Sequence, residues 1–321
     1  MQTVEHTITL HSAEALHGKM PGEFGAVLAR VADLAREAVR MRFEGVSSRR
    51  GRRPDWLPKA ADIRFCDHEG NGDGVTRLFY EAPRLRDTAP DTLWQRGMFG
   101  AETPDAAPRK DDTPLDLLAD TMFSVRRSDA DSRFFDEAML KDIRGLHKAF
   151  GRVFERADLH GNRVAKEQPA IADATTIQNA RKLGQSTPRP RKVQLLGKLD
   201  MVRHSTSMFG LVVQGAEVAC ILDHGDIEAL SPLLGSKILV QGNAVFRPSG
   251  RVLRIEVDHF ERGEGKATLF EKLPQPLAQK LDRRRLQVEQ GPRSGINAIF
   301  GTWPGDETEE EFLAAISEPQ E

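Results

Sequence analysis

RKVQLLGKLDMVRHSTSMFGLVVQGAEVACILDHGDIEALSPLLGSKILVQGNAVFRPSGRVLRIEVDHFER, residues 191–262, is the stretch whose reading decides the fold. Val193–Val202, Met208–Val213 and Glu217–Leu222 are three short apolar runs separated by polar breaks. Asp226-Ile-Glu-Ala-Leu-Ser-Pro-Leu-Leu234 then reads as a short helix, with Asp226 as its N-cap and Gly235 as its stop, because a side-chain oxygen can satisfy free N–H groups at a helix start. Lys237–Phe246 and Arg251–Phe260 are two further strands, and Pro248-Ser-Gly250 makes the turn between them. The order is β-β-β-α-β-β. Leu196, Val212, Val218, Ile221, Leu230, Leu234, Leu239, Val245, Leu253 and Ile255 are the expected interior.

Five strands of this length can close on themselves and remove the exposed edges that would otherwise pair with other chains. In wiring, strand length and helix position the stretch resembles the OB-fold superfamily. The resemblance is one of architecture and covers residues 191–262. It implies a small barrel able to bind nucleic acid or a partner protein.

The rest of the chain is expected to be α+β and multidomain. Residues 1–85 read as a β-α-β-β unit: a strand at Thr7–Leu10, a helix at Glu23–Phe43 and a hairpin from Ala61–Cys66 and Val75–Glu81. The helix carries Val27, Leu28, Val31, Leu34, Ala35 and Ala38 at helical spacing, and Gly45 stops it. Residues 86–190 read as a helical region and linker. It has a helix at Pro114–Phe123 behind Thr113, another at Asp136–Phe154, and a polar connection over Leu159–Pro190. Residues 263–321 read as a helical extension. One helix is expected at Pro274–Val288 and a last one in the acidic tail, capped by Asp306 or Thr308. That tail resembles the short acidic tails of small bacterial regulatory proteins.

Charged residues make up 29% of the 321 and the formal net charge is -2, a balance that calls neither for disorder nor for a nucleic-acid coat. No apolar run reaches membrane-spanning length and residues 1–30 lack a secretory core, so a cytoplasmic location is expected and no membrane partner. Cys66 and Cys220 read as buried thiols. Abundant arginine, alanine and glycine beside few lysines suggest a bacterial source.

Motifs for chemistry are sparse. The nine histidines include no His-x-x-x-His pair and there is no Cys-x-x-Cys, so no metal ligands and no cofactor are assigned. Asp67, Glu69, Asn71 and Asp73 alternate like part of a calcium loop but lack its distal glutamate, which favours a solvated turn. No catalytic residue is assigned, which weighs against an enzyme. Two binding readings remain. As a regulatory subunit or adaptor, the chain would bind another protein through its barrel and tail, with Trp303 and Phe312 as anchors. As a nucleic-acid-binding protein, it would use Arg247, Arg251 and Arg254 around the last hairpin and the basic loop Arg49, Arg50, Arg52 and Arg53. Residues 190–262 hold nine Lys/Arg against eight Asp/Glu, so the near-neutral barrel favours the adaptor. Phe209 and Phe246 would stack bases only if they faced outward; a core position is expected for both.

Overall fold

The computed structural model divides the chain into Met1–Gln279 and Lys280–Glu321. The described residues are 3–14, 16, 21–48, 54–70, 73–94, 107–148, 150, 153–162, 168–222, 225–263 and 270–277, all within the first part. Among them the fold is mixed α and β, with one open sheet and one closed barrel.

The open sheet begins with β1 (Thr3–Ser12), in which His6, Ile8 and Leu10 are buried in strict alternation. The helix α1 (Gly22–Glu44) crosses its inner face and ends where expected: Gly45 takes φ +68° and returns its N–H to the Met41 carbonyl at 3.1 Å. After a single turn of helix, α2 (Leu57–Ala60), the hairpin β2 (Arg64–Gly70) and β3 (Val75–Pro83) joins β1 through β3, and a further single turn, α3 (Leu85–Thr88), follows.

The middle of the chain departs from the expected helical region. α4 (Pro114–Arg126) is present behind Thr113, but α5 (Glu137–Arg144) stops at Gly145 instead of running on to residue 154. A 3-10 turn follows, and then β4 (Phe154–Leu159) pairs with β1. The connection expected over residues 159–190 holds β5 (Ala170–Asp173) and α6 (Ala174–Ser186). All pairs in the sheet are antiparallel and its order is β2-β3-β1-β4-β5, so residues on both sides of position 85 build one sheet. Ile8, Leu10, Ala157, Leu159 and Ala172 of the sheet meet Val27 and Val31 of α1 and Leu118 and Met122 of α4 around a void of only about 20 Å³. A void that small holds no more than about one water.

The barrel is made of β6 (Arg191–Arg203), β7 (Met208–Val213), β8 (Ala216–Leu222), β9 (Lys237–Phe246) and β10 (Val252–Arg262), closed in the order β10-β8-β7-β6-β9. Every pair is antiparallel except β8 with β10. Gly242 sits where β9 runs against β10: a Cβ there would come within 2.1 Å of the Glu256 carbonyl oxygen. Asp226 caps the helix between β8 and β9 through the Glu228 N–H, but Ile227–Leu233, with Pro232 inside it, is a 3-10 helix and not an α-helix.

The interior parity also needs correction. Leu195, Leu199, Leu211, Val213, Ile238, Val240, Phe246 and Val257 fill the barrel, together with the expected Val218, Leu230 and Ile255. Val212, Val245 and Leu253 are only half-buried, and Leu234 is 57% exposed. Leu196, Ile221 and Leu239 are buried, but outside that cluster. A one-residue slip sends every strand side chain to the other face, and here the outer face is covered too, so hydrophobicity alone could not set the parity. Gly45 at the end of α1 lies against Met208 and Ile221, which seats the barrel on the sheet domain. Cys66 is exposed, against expectation, while Cys220 is buried and its thiol is pushed up by burial.

Candidate functional site

The β9–β10 turn is where sequence and structure converge. Arg247-Pro-Ser-Gly250 closes it: the Gly250 N–H reaches the Arg247 carbonyl at 2.9 Å with Gly250 at φ +88°, and Arg247 N bonds Arg251 O at 2.8 Å. The turn is fastened to the loop after α4. Ser249 N donates to the Ala130 carbonyl at 3.1 Å, the Arg247 guanidinium donates to the Asp131 carbonyl at 3.0 Å, and the Ser249 hydroxyl donates to the Asp131 carboxylate at 2.5 Å. Arg251 lies 3.4 Å from the same carboxylate.

Beside this turn opens a cleft of about 530 Å³. Among the described residues its cationic lining is Arg133 from the loop after α4, Arg203 from the end of β6, and Arg247 and Arg251 from the hairpin, against one acid, Glu217. Met201, Met208, Leu253 and Leu273 supply apolar wall. The volume lies in the range of ordinary ligand sites, which combine apolar walls with a few placed polar groups. The Arg247 Nε is buried without a hydrogen-bond partner among the described residues. Burial, followed by the neighbouring Arg133, lowers Arg247 to about 10; Asp131 opposes that shift and Arg251 adds to it. Guanidinium groups crowded in this way repel one another, and an anion placed among them relieves the repulsion.

The other expected site residues divide. Arg254 is not offered to solvent. Its guanidinium is buried, 3.3 Å from Asp136, with bonds to the Gly45 carbonyl at 3.1 Å and to Glu256 at 2.8 Å. Asp136 also caps α5 through Met139 N and accepts from the Ser47 hydroxyl and N–H. Arg254 therefore joins the barrel to the chain after α1 and to the start of α5. Phe209 and Phe246 are core residues. Arg49, Arg50, Arg52, Arg53, Trp303 and Phe312 lie outside the described residues.

Sequence reasoning missed Arg133, Arg203, Met201 and Met208. Arg203 was legible as a charge ending a strand. Arg133 had no signal, because only the fastening of the hairpin to residues 130–131 brings it to the cleft.

A second cavity, about 310 Å³, lies between α1 and α5, lined by Arg30, Asp33, Arg36, Glu37, Arg40, Ser47, Ser48, Leu57 and Asp142. Its charges pair off: Arg30 with Asp142 at 3.1 Å and Arg36 with Asp33 at 2.8 Å, while Arg40 holds Glu44 at 2.6 Å. Burial first, then Asp142, pushes the Glu37 carboxyl up to about 8, so it is a neutral acid at pH 7. No group of three or more His, Cys, Asp or Glu suited to a metal occurs among the described residues, and no helix among them is long and apolar enough to cross a membrane. Comparison with known proteins found no matching family model, no matching curated protein and no matching solved structure.

Proposed function

We propose that this chain is a binding protein whose barrel takes single-stranded nucleic acid in the arginine-lined cleft. The observation that carries the reading is the convergence of Arg133, Arg203, Arg247 and Arg251 on one cavity in a chain of net charge -2. Charge so concentrated is what phosphate contacts need. The OB-like reading of the barrel supports it. Counted along the chain, its strands lie in the order 5-3-2-1-4, with the third and fifth parallel. The cleft takes its walls from the end of the first strand, the start of the second, the third strand, the turn between the fourth and fifth, and residues 273–276; the face of strands two and three and the turn between four and five are where barrels of this kind bind oligonucleotides. The Met201, Met208 and Leu253 wall would carry a base beside the phosphates. Among the described residues no aromatic side chain lines the cleft, so phosphates rather than base stacking dominate the affinity. The adaptor reading rested on the near-neutral barrel and the slightly acidic chain, with Trp303 and Phe312 as anchors; those two anchors lie outside the described residues, while the arginines converge on one cavity.

Fluorescence anisotropy with labelled 15-nucleotide DNA and RNA strands, and with a duplex, tests the proposal. Single strands should bind in preference to duplex. Three or four phosphate contacts give a slope of log K against log salt of roughly -2 to -3. Arg133→Ala and Arg251→Ala should each weaken binding about equally for different sequences and each make the slope shallower by about one. Equal or stronger duplex binding, or no binding at 50 mM salt, contradicts the proposal.

A further inference from the structure

An acid outside the cleft lining already holds two of the lining residues, Ser249 and Arg251. Asp131 presents one carboxylate oxygen to the Ser249 hydroxyl at 2.5 Å and the other to the Arg251 guanidinium at 3.4 Å. Both donors belong to the β9–β10 turn, and Arg251 lines the cleft. A phosphate approaching that turn would want the same two donors. The contact is also displaceable: the Arg251 and Asp131 side chains are 74% and 47% exposed, and ion pairs so open to water contribute little.

The fastening of the turn does not rest on that carboxylate alone. Ser249 N on the Ala130 carbonyl and Arg247 on the Asp131 carbonyl are bonds to the main chain of the loop, and a change of the Asp131 side chain leaves both in place. Fastening and charge therefore reside in different atoms of the same loop.

We propose that Asp131 is a built-in competitor: its carboxylate holds the Ser249 and Arg251 donors in the free protein, and a phosphate of the bound strand displaces it. The inference rests on the reading of the cleft as a nucleic-acid site. Asp131 then sets the affinity of the cleft from within, keeping binding weak and reversible. Asp131→Asn keeps the size of the side chain and removes the competing charge.

The test is anisotropy with a labelled 15-nucleotide oligothymidylate at 100 mM salt, using wild type, Asp131→Asn, Asp131→Ala and the distant charge control Glu155→Gln. Melting temperature is measured for each. Both Asp131 variants should bind about three- to tenfold tighter than wild type, as expected when a weak exposed pair no longer competes. The salt slope should steepen by up to about one, since one more arginine is free to release a counterion. Glu155→Gln should stay within about twofold of wild type. The melting temperature of the Asp131 variants should hold or fall slightly while their affinity rises. If wild type binds and the Asp131 variants bind equally or more weakly, Asp131 positions the turn and the competitor is ruled out. An equal gain from Glu155→Gln means net charge is responsible and also rules it out. If neither wild type nor any variant binds, the nucleic-acid reading fails and the competitor fails with it.

Discussion

Glu37 shows how one residue can be at odds with its surroundings and still be kept. It lies on the helix α1, faces a charged cavity, and its Oε2 is buried without a partner among the described residues. Burial and Asp142 raise its pKa from the ordinary 4.5 to about 8. In the unfolded chain it titrates normally, so the folded state binds this proton more tightly. Its contribution is fully present below about pH 4.5 and is lost as pH rises towards about 8. Glu37→Gln keeps the neutral shape and removes the titration. The variant should match wild type near pH 4.5 and gain melting temperature steadily up to pH 8, by several degrees, with no further change above. A gain independent of pH would contradict this account.

At the scale of elements, local sequence decides where helices begin. Thr113 accepts from Asp116 N at 3.2 Å while the Asp116 carboxylate accepts from Thr113 N at 2.9 Å, with Pro114 at the first position of α4. The same threonine hydroxyl lies 2.9 Å from His6 Nε2, so the cap also holds the helix against β1. Thr113→Ala should therefore cost about 1–2 kcal/mol in urea unfolding, at the upper end for an N-cap, because it leaves a buried histidine nitrogen without its partner. A loss below about 0.5 kcal/mol would mean the cap is dispensable. α6 escaped notice for the opposite reason. Its fully buried positions are Thr176, Ala180 and Leu183, which have helical spacing but too little hydrophobicity to announce a face.

At the scale of the molecule, a buried ionic contact ties the barrel to the helices of the open-sheet part. Arg254 comes from β10, Asp136 from the start of α5, and Gly45 and Ser47 from the chain after α1. The Arg254 and Asp136 side chains are 8% and 4% exposed. Removing one partner of such a pair strands the other charge without water. Arg254→Ala should thus lower stability by about 3 kcal/mol or more. Trp56 and Trp94 pack on the core of the open-sheet part, so in a Trp303→Phe background tryptophan fluorescence reports that side, while circular dichroism reports the whole. The two probes should unfold together in that background and separate when Arg254→Ala is added to it. Coincident transitions with a loss under about 1 kcal/mol would show that the barrel is held without the Arg254–Asp136 contact.

The order of the barrel strands, the cap at Asp226, the stop at Gly45, the cap at Thr113 and the hairpin arginines were all legible in the sequence, because each depends on residues within a few positions of one another. The membership of β4 and β5 in the first sheet was not, since short strands gain their hydrogen bonds only from partners far along the chain. The parity of the barrel strands was not either, because both faces carry buried apolar residues. The same limit governs the cleft. Sequence placed Arg247, Arg251 and Arg254 near one hairpin, but pairing with Asp136 took Arg254 into the domain junction. The fastening of Ser249 to Ala130, across more than a hundred residues, brought Arg133 and Asp131 to the hairpin. Local chemistry determined where the elements start and turn; which charges face one another was decided by long-range burial and hydrogen bonding, which arise only when the chain closes on itself.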